Sequence, residues 1–220
     1  MTTTRMIYQG LLVLLLLTWS ALAESPHQKA LTLAEQEWIR FGKQTIGLDG
    51  KLSHRGGRED EEEHYLRVAD YWKRGVDVNL TGKDTHVAWS AAFMSWLMKE
   101  AGMAERFSYS DWHATYIRNS IRARRANDRS FSFWGYRLTE RAPQVGDLVG
   151  YARQGGIAFN YQPTVYKSHT DIVVAVRPNE IDVIGGNVQD SVTKKTLRTN
   201  DQGLLIDKNH RWFVVMAPNP

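Results

Sequence analysis

Asp84-Thr85-His86-Val87-Ala88-Trp89-Ser90-Ala91-Ala92-Phe93-Met94-Ser95-Trp96-Leu97-Met98-Lys99-Glu100-Ala101-Gly102 is the stretch from which the architecture can be worked out. Trp89, Ala92, Phe93, Trp96 and Leu97 recur at three- and four-residue spacings, which place them on one side of a helix, facing a core. Asp84 and Thr85 are N-cap types, and Gly102 accepts the positive φ that closes a helix. A helix is therefore predicted from about Val87 to Ala101. Ser90 falls in its first turn, where unpaired N–H groups and the positive end of the helix dipole stabilise developing negative charge. That position suits a nucleophile; the structural reading of the same residue is a cap or a small packing side chain.

Upstream, Thr32-Leu33-Ala34-Glu35 has the form of a capping box opening a helix that carries Leu33, Ala34, Trp38 and Phe41. A glycine-rich loop from Gly50 to Gly57 follows, and then the acidic run Glu59 to Glu63. Tyr65, Val68, Ala69 and Trp72 return to helical spacing, so the acids read as a helix start that complements the dipole. Arg118 to Arg129 holds five arginines. Several share a helix face that either is solvated or holds an anionic polymer.

From Phe131 onward the pattern changes to short β-type runs: Phe131 to Leu138, Asp147 to Tyr151, Thr170 to Val176, Ile181 to Ile184 and Trp212 to Met216. Arg177-Pro178-Asn179-Glu180 reads as a hairpin turn. Helices first and strands later predict an α+β fold, with N-terminal helices packed on a mainly antiparallel sheet.

The chain has 220 residues, 42% of them hydrophobic and 24% charged, which favours a folded domain over disorder. Residues 1–23 have the form of a secretory signal, with Arg5, the apolar run Leu11 to Leu17 and Ala21-Leu22-Ala23 as the cleavage site. Residues 24–220 are then expected as a single exported domain, periplasmic or extracellular, with no membrane span after cleavage. The absence of cysteine excludes internal disulfides, thiolate metal sites and a cysteine nucleophile. A net charge of +4 is too mild to call for nucleic acid, and no motif calls for a cofactor.

Polar residues that interrupt the apolar patterns supply the candidate chemistry. In Ser168-His169-Thr170-Asp171-Ile172-Val173 the side chains of His169 and Asp171, two apart, share one side of a strand. His169 is the candidate base, with either Asp171 or Asn187 as its orienter. His113, in Tyr109-Ser110-Asp111-Trp112-His113-Ala114-Thr115-Tyr116, is a second candidate histidine. A metal site from His113, His169 and Asp171 is a further reading, since imidazole and carboxylate suit zinc. Trp112, Tyr116, Trp134 and Tyr136 are either core residues or the walls of a sugar-binding cleft.

Trp89-Ser90-Ala91-Ala92-Phe93, Gly146-Asp147-Leu148, His169 at a strand start and Gly185-Gly186-Asn187 run in the order seen in the papain-like NlpC and CHAP cell-wall hydrolases, which this chain resembles. It more closely resembles an uncharacterised family of secreted bacterial proteins, over roughly Tyr71 to Val192, in Trp-Ser-Ala-Ala-Phe, Tyr-Ser-x-x-His-x-x-Tyr-Ile, Gly-Asp-Leu, His-x-Asp-Ile-Val-Val and Gly-Gly-Asn-Val-x-Asp-Ser-Val. The resemblance implies a papain-like α+β fold with Ser90 at the cysteine position. A thiol there rests as thiolate; a serine hydroxyl has to lose its proton during attack, to His169 as general base. It further implies an amide-bond hydrolase acting on peptidoglycan or another anionic envelope polymer. His113, Trp89, Tyr109 and Tyr116 are then the candidate substrate contacts. The alternative is a wall-binding or inhibitory module that keeps the cleft without the chemistry.

Overall fold

The computed structural model describes residues 24–219; the expected leader, 1–23, lies outside them. Helix α1 spans Pro26–Arg40, with Pro26 in its first turn and the Ser25 hydroxyl accepting from the Gln28 N–H at 3.2 Å. The Thr32–Glu35 box therefore sits inside the helix rather than at its start. Two short strands, β1 (Thr45–Ile46) and β2 (Leu52–His54), lead to α2 (Tyr65–Val76). The acidic run forms the turns before α2, and Glu59 is buried there.

Helix α3 spans Ser90–Ala101 and closes on Gly102 at φ +89°. It begins later than its cap-type residues suggest, because the Asp84 carboxylate caps a separate turn, accepting from the Thr81 N–H at 2.8 Å. Ten of its twelve residues are buried, as expected of a helix covered all round. Helix α4, His113–Ala126, carries the arginine run and closes on Asn127 at φ +52°.

Strands β3 (Phe133–Tyr136), β4 (Leu148–Ala152), β5 (Ser168–Arg177), β6 (Glu180–Gly185), β7 (Thr193–Arg198) and β8 (Arg211–Pro218) complete an eight-stranded sheet in the order β2-β1-β7-β6-β5-β4-β8-β3. Only β1 and β7 pair in parallel. The fold is α+β. Arg177 pairs with Glu180 across the expected hairpin turn, which Asn179 closes at φ +62°.

Both faces of this sheet are covered. One packs on the helices through Ile172, Ile184, Leu148, Val214 and Met216. The other holds a smaller core of Val149, Val173, Val183, Leu197, Trp212 and Val215. Because successive side chains alternate, β5 sends Thr170 and Ile172 to the helices and His169, Asp171 and Val173 to the opposite face. Among the described residues no helix is long and apolar enough to cross a membrane.

Candidate functional site

Gly186 sets the approach of α3 to the sheet. A Cβ on Gly186 would lie 2.6 Å from atoms of Trp89 and Phe93, so only a bare backbone admits the start of the helix. Asn187, at φ +53°, lays its side-chain amide against Trp89, and with the oxygen turned toward that residue it accepts from the Trp89 backbone N–H at 3.0 Å. The single indole N–H donates to the Glu59 carboxylate. Burial raises the Glu59 pKa, and that indole contact opposes the rise. Trp89 is thus buried, stacked on Tyr71 and edge-on to Phe93, and presents no surface to a substrate. Its role is to fix the residue that follows it.

That residue, Ser90, places its Oγ 2.8 Å from Nε2 of His113, the first residue of α4. On the far side of the ring, Nδ1 lies 2.8 Å from Thr170 Oγ1 and also contacts the Tyr116 hydroxyl. The two hydroxyls are 3.1 Å apart. The partner of Ser90 is therefore His113, not His169, and Tyr116 orients that ring instead of lining a substrate surface. Either tautomer of His113 is satisfied. When Nδ1–H donates to Thr170, the Ser90 hydroxyl donates to the bare Nε2. Burial, followed by the neighbouring His169, holds the His113 pKa well below the usual histidine value, so the ring is neutral at pH 7.

His169 belongs to a second network on the other face. Its Nε2–H donates to Asp171 Oδ1 at 3.1 Å, and Lys195 Nζ donates to Asp171 Oδ2 at 2.7 Å. All three residues are buried, with relative exposures of 0, 0 and 2%. Burial alone would raise Asp171, but Lys195 and then His169 outweigh it and hold its carboxyl far below the usual carboxylate range. The room for this pair comes from Gly185, where a Cβ would meet Asp171 Oδ1 at 2.0 Å. Asn187 orients Trp89 and makes no hydrogen bond to His169 among the described residues. The His169 and His113 rings touch, 5.0 Å apart between centroids, but their hydrogen bonds run to different partners. With Lys195 on the Asp171 carboxylate and hydroxyls on both nitrogens of His113, these three residues do not form the expected metal donor set.

Ser90 and His113 open onto a cleft of about 460 Å³ whose walls include Trp72, Val87, Trp112, Arg153, Tyr166 and Ser168. Trp112 stands at its mouth, 44% exposed. The N-cap Trp89 makes no side-chain hydrogen bond to the first turn of α3, leaving the helix-start N–H groups beside Ser90. Tyr109 lies elsewhere, donating to the Ala104 carbonyl at 2.8 Å and lining a separate groove with Lys99. Trp134 and Tyr136 sit on β3 at the sheet edge, where the Arg124 guanidinium covers the Tyr136 ring.

The site therefore defines an α+β protein with a serine–histidine pair at the start of a buried helix. The chain belongs to the DUF2272 family, described as uncharacterised proteins conserved in bacteria, whose model matches residues 70–216. No curated protein and no solved structure matches it. Residues 70–216 take in Ser90, His113, Tyr116, Thr170 and both members of the Gly185–Gly186 pair.

Proposed function

We propose that the protein is an exported serine-dependent hydrolase of amide bonds, acting on peptidoglycan or a related envelope polymer, with Ser90 as nucleophile and His113 as base. The observation that carries this reading is the 2.8 Å contact between Ser90 Oγ and His113 Nε2 on the wall of an open cleft. In the proposed reaction Ser90 Oγ attacks the carbonyl carbon while His113 Nε2 takes its proton. The oxyanion faces the unpaired N–H groups at the start of α3. His113 then returns the proton to the departing amine, and water repeats the sequence to release the acid. The leader-like N-terminus supports export; the resemblance to the NlpC and CHAP hydrolases supports a nucleophile at Ser90 but had its base at His169, which the Ser90 hydroxyl does not contact.

One observation favours a second reading, a wall-binding module without turnover. The groups at His113 Nδ1 are two neutral hydroxyls, which stabilise an imidazolium less well than a carboxylate does. Incubating the purified protein with peptidoglycan separates the two. Release of soluble fragments that is lost in both Ser90→Ala and His113→Ala supports the hydrolase; release that survives either change removes the assignment. Cosedimentation without any product establishes the binding module.

A further inference from the structure

One side of the cleft beside Ser90 carries two cations without carboxylate partners among the described residues. Arg153 and Lys167, adjacent across β4 and β5 through the 2.8 Å bond from the Arg153 N–H to the Lys167 carbonyl, both line it, and both are exposed. Neither forms an ion pair with a carboxylate among the described residues. Three further residues of the wall carry buried polar atoms without a partner there: Ser168 Oγ, Tyr166 Oη and Trp72 Nε1. Ser168 is 8% exposed, so its hydroxyl is held inside the wall. Asp111 is the one carboxylate among the residues lining the cleft.

A buried donor without a partner costs free energy that a ligand acceptor recovers. The indole N–H only donates, and the two hydroxyls donate readily, so the complementary group is rich in acceptor oxygens. Two uncompensated cations beside them make that group an anion. On the β4–β5 side of Ser90 we infer a subsite for a carboxylate of the substrate, formed by Arg153, Lys167 and Ser168. The substrate is then a peptide-like amide with a free carboxylate near the bond attacked, and Trp112 at the mouth covers its apolar part. The placement of this carboxylate next to a scissile bond rests on the hydrolase reading; its binding by Arg153, Lys167 and Ser168 does not.

The test uses acetylated trialanine with a free C-terminal carboxylate, the same peptide as its C-terminal amide, and inorganic phosphate. Binding is measured on Ser90→Ala, which prevents turnover through that hydroxyl, and hydrolysis on the wild type. The acid form is expected to bind Ser90→Ala about tenfold more tightly than the amide, the effect of one charge-assisted contact. Adding Arg153→Gln or Lys167→Gln, both at exposed positions, should erase most of that difference. Equal binding of acid and amide, or binding of neither, overturns the subsite. Phosphate that binds more tightly than the acid peptide overturns the carboxylate assignment in favour of a phosphate ligand. Selective binding without hydrolysis keeps the subsite and counts against the hydrolase; hydrolysis indifferent to the carboxylate does the reverse.

Discussion

Gly185 shows how a single missing side chain organises the rear network. Its absent Cβ leaves room for an aspartate that is itself fixed by Lys195 and His169, so Asp171 has nowhere to retreat. Gly185→Ala is expected to destabilise the protein by about 1–3 kcal/mol, the usual cost of overpacking, as read from the urea midpoint. Asp171→Asn leaves the Lys195 ammonium buried without a counter-charge and should cost about 3–5 kcal/mol. An unchanged midpoint in either variant would contradict the geometry described. At this scale the sequence was legible in part. Ser90 within the first turn of a helix and the same-side pairing of His169 with Asp171 both follow from periodicity. Which histidine faces Ser90 does not, because Ile172 and Val173 are both buried and the alternation of β5 carries no polar-out signal to say which side meets the helices.

Helix α3 illustrates what local patterns can and cannot supply. Its apolar spacing and its Gly102 terminus were readable, but its start was not. The cap-type residues Asp84 and Thr85 belong to the preceding loop, and the start is instead held by Asn187 from the loop after β6. Asn187→Ala is expected to cost about 1 kcal/mol, as loss of a helix cap does, and Asn187→Asp, which keeps an acceptor oxygen but sets a second carboxylate beside Glu59, should recover part of it. Thermal melts of the two variants check this; equal losses would show that the oxygen is not what holds Trp89. Strands β1 and β2, of two and three residues, are too short to show alternation. Strand β7, Thr193-Lys194-Lys195-Thr196-Leu197-Arg198, reads as polar because one of its inward positions is the lysine paired with Asp171.

For the molecule as a whole, buried histidines make stability depend on pH: His113 and His169 are the most enclosed, and His27 and His210, the latter lowered to about 4, add to the same effect. Burial lowers the pKa of both His113 and His169 below 6.5. In the window between the folded values and 6.5 the unfolded chain therefore binds more protons, and stability rises with pH through that window. Acidifying from pH 7 should lower the melting temperature progressively once below about 6.5, the unfolded histidine value. Asp171 adds its own loss from about pH 5 downward, as the unfolded carboxylate protonates around 3.9 while the folded one stays ionised. His169→Gln should flatten the upper part of this dependence; a profile as steep as that of wild type would mean that the ring is not buried neutral. The same lowering in His113 places the acid limb of any Ser90-dependent activity below pH 6.5, with no loss on going from pH 7 to 8. The α+β class and the central β5–β6 hairpin were legible from element order. The division into two separate polar networks became visible only with the sheet in place.

Strand β5 carries one of those networks on each side. A slip of one residue would swing Thr170 to the rear and Asp171 to the front, where a carboxylate would face the His113 ring and Lys195 would lose its partner. Each cluster thus proofreads the threading of the other: a chain that has seated its charges correctly behind the sheet has, by the same step, delivered a hydroxyl to the imidazole in front.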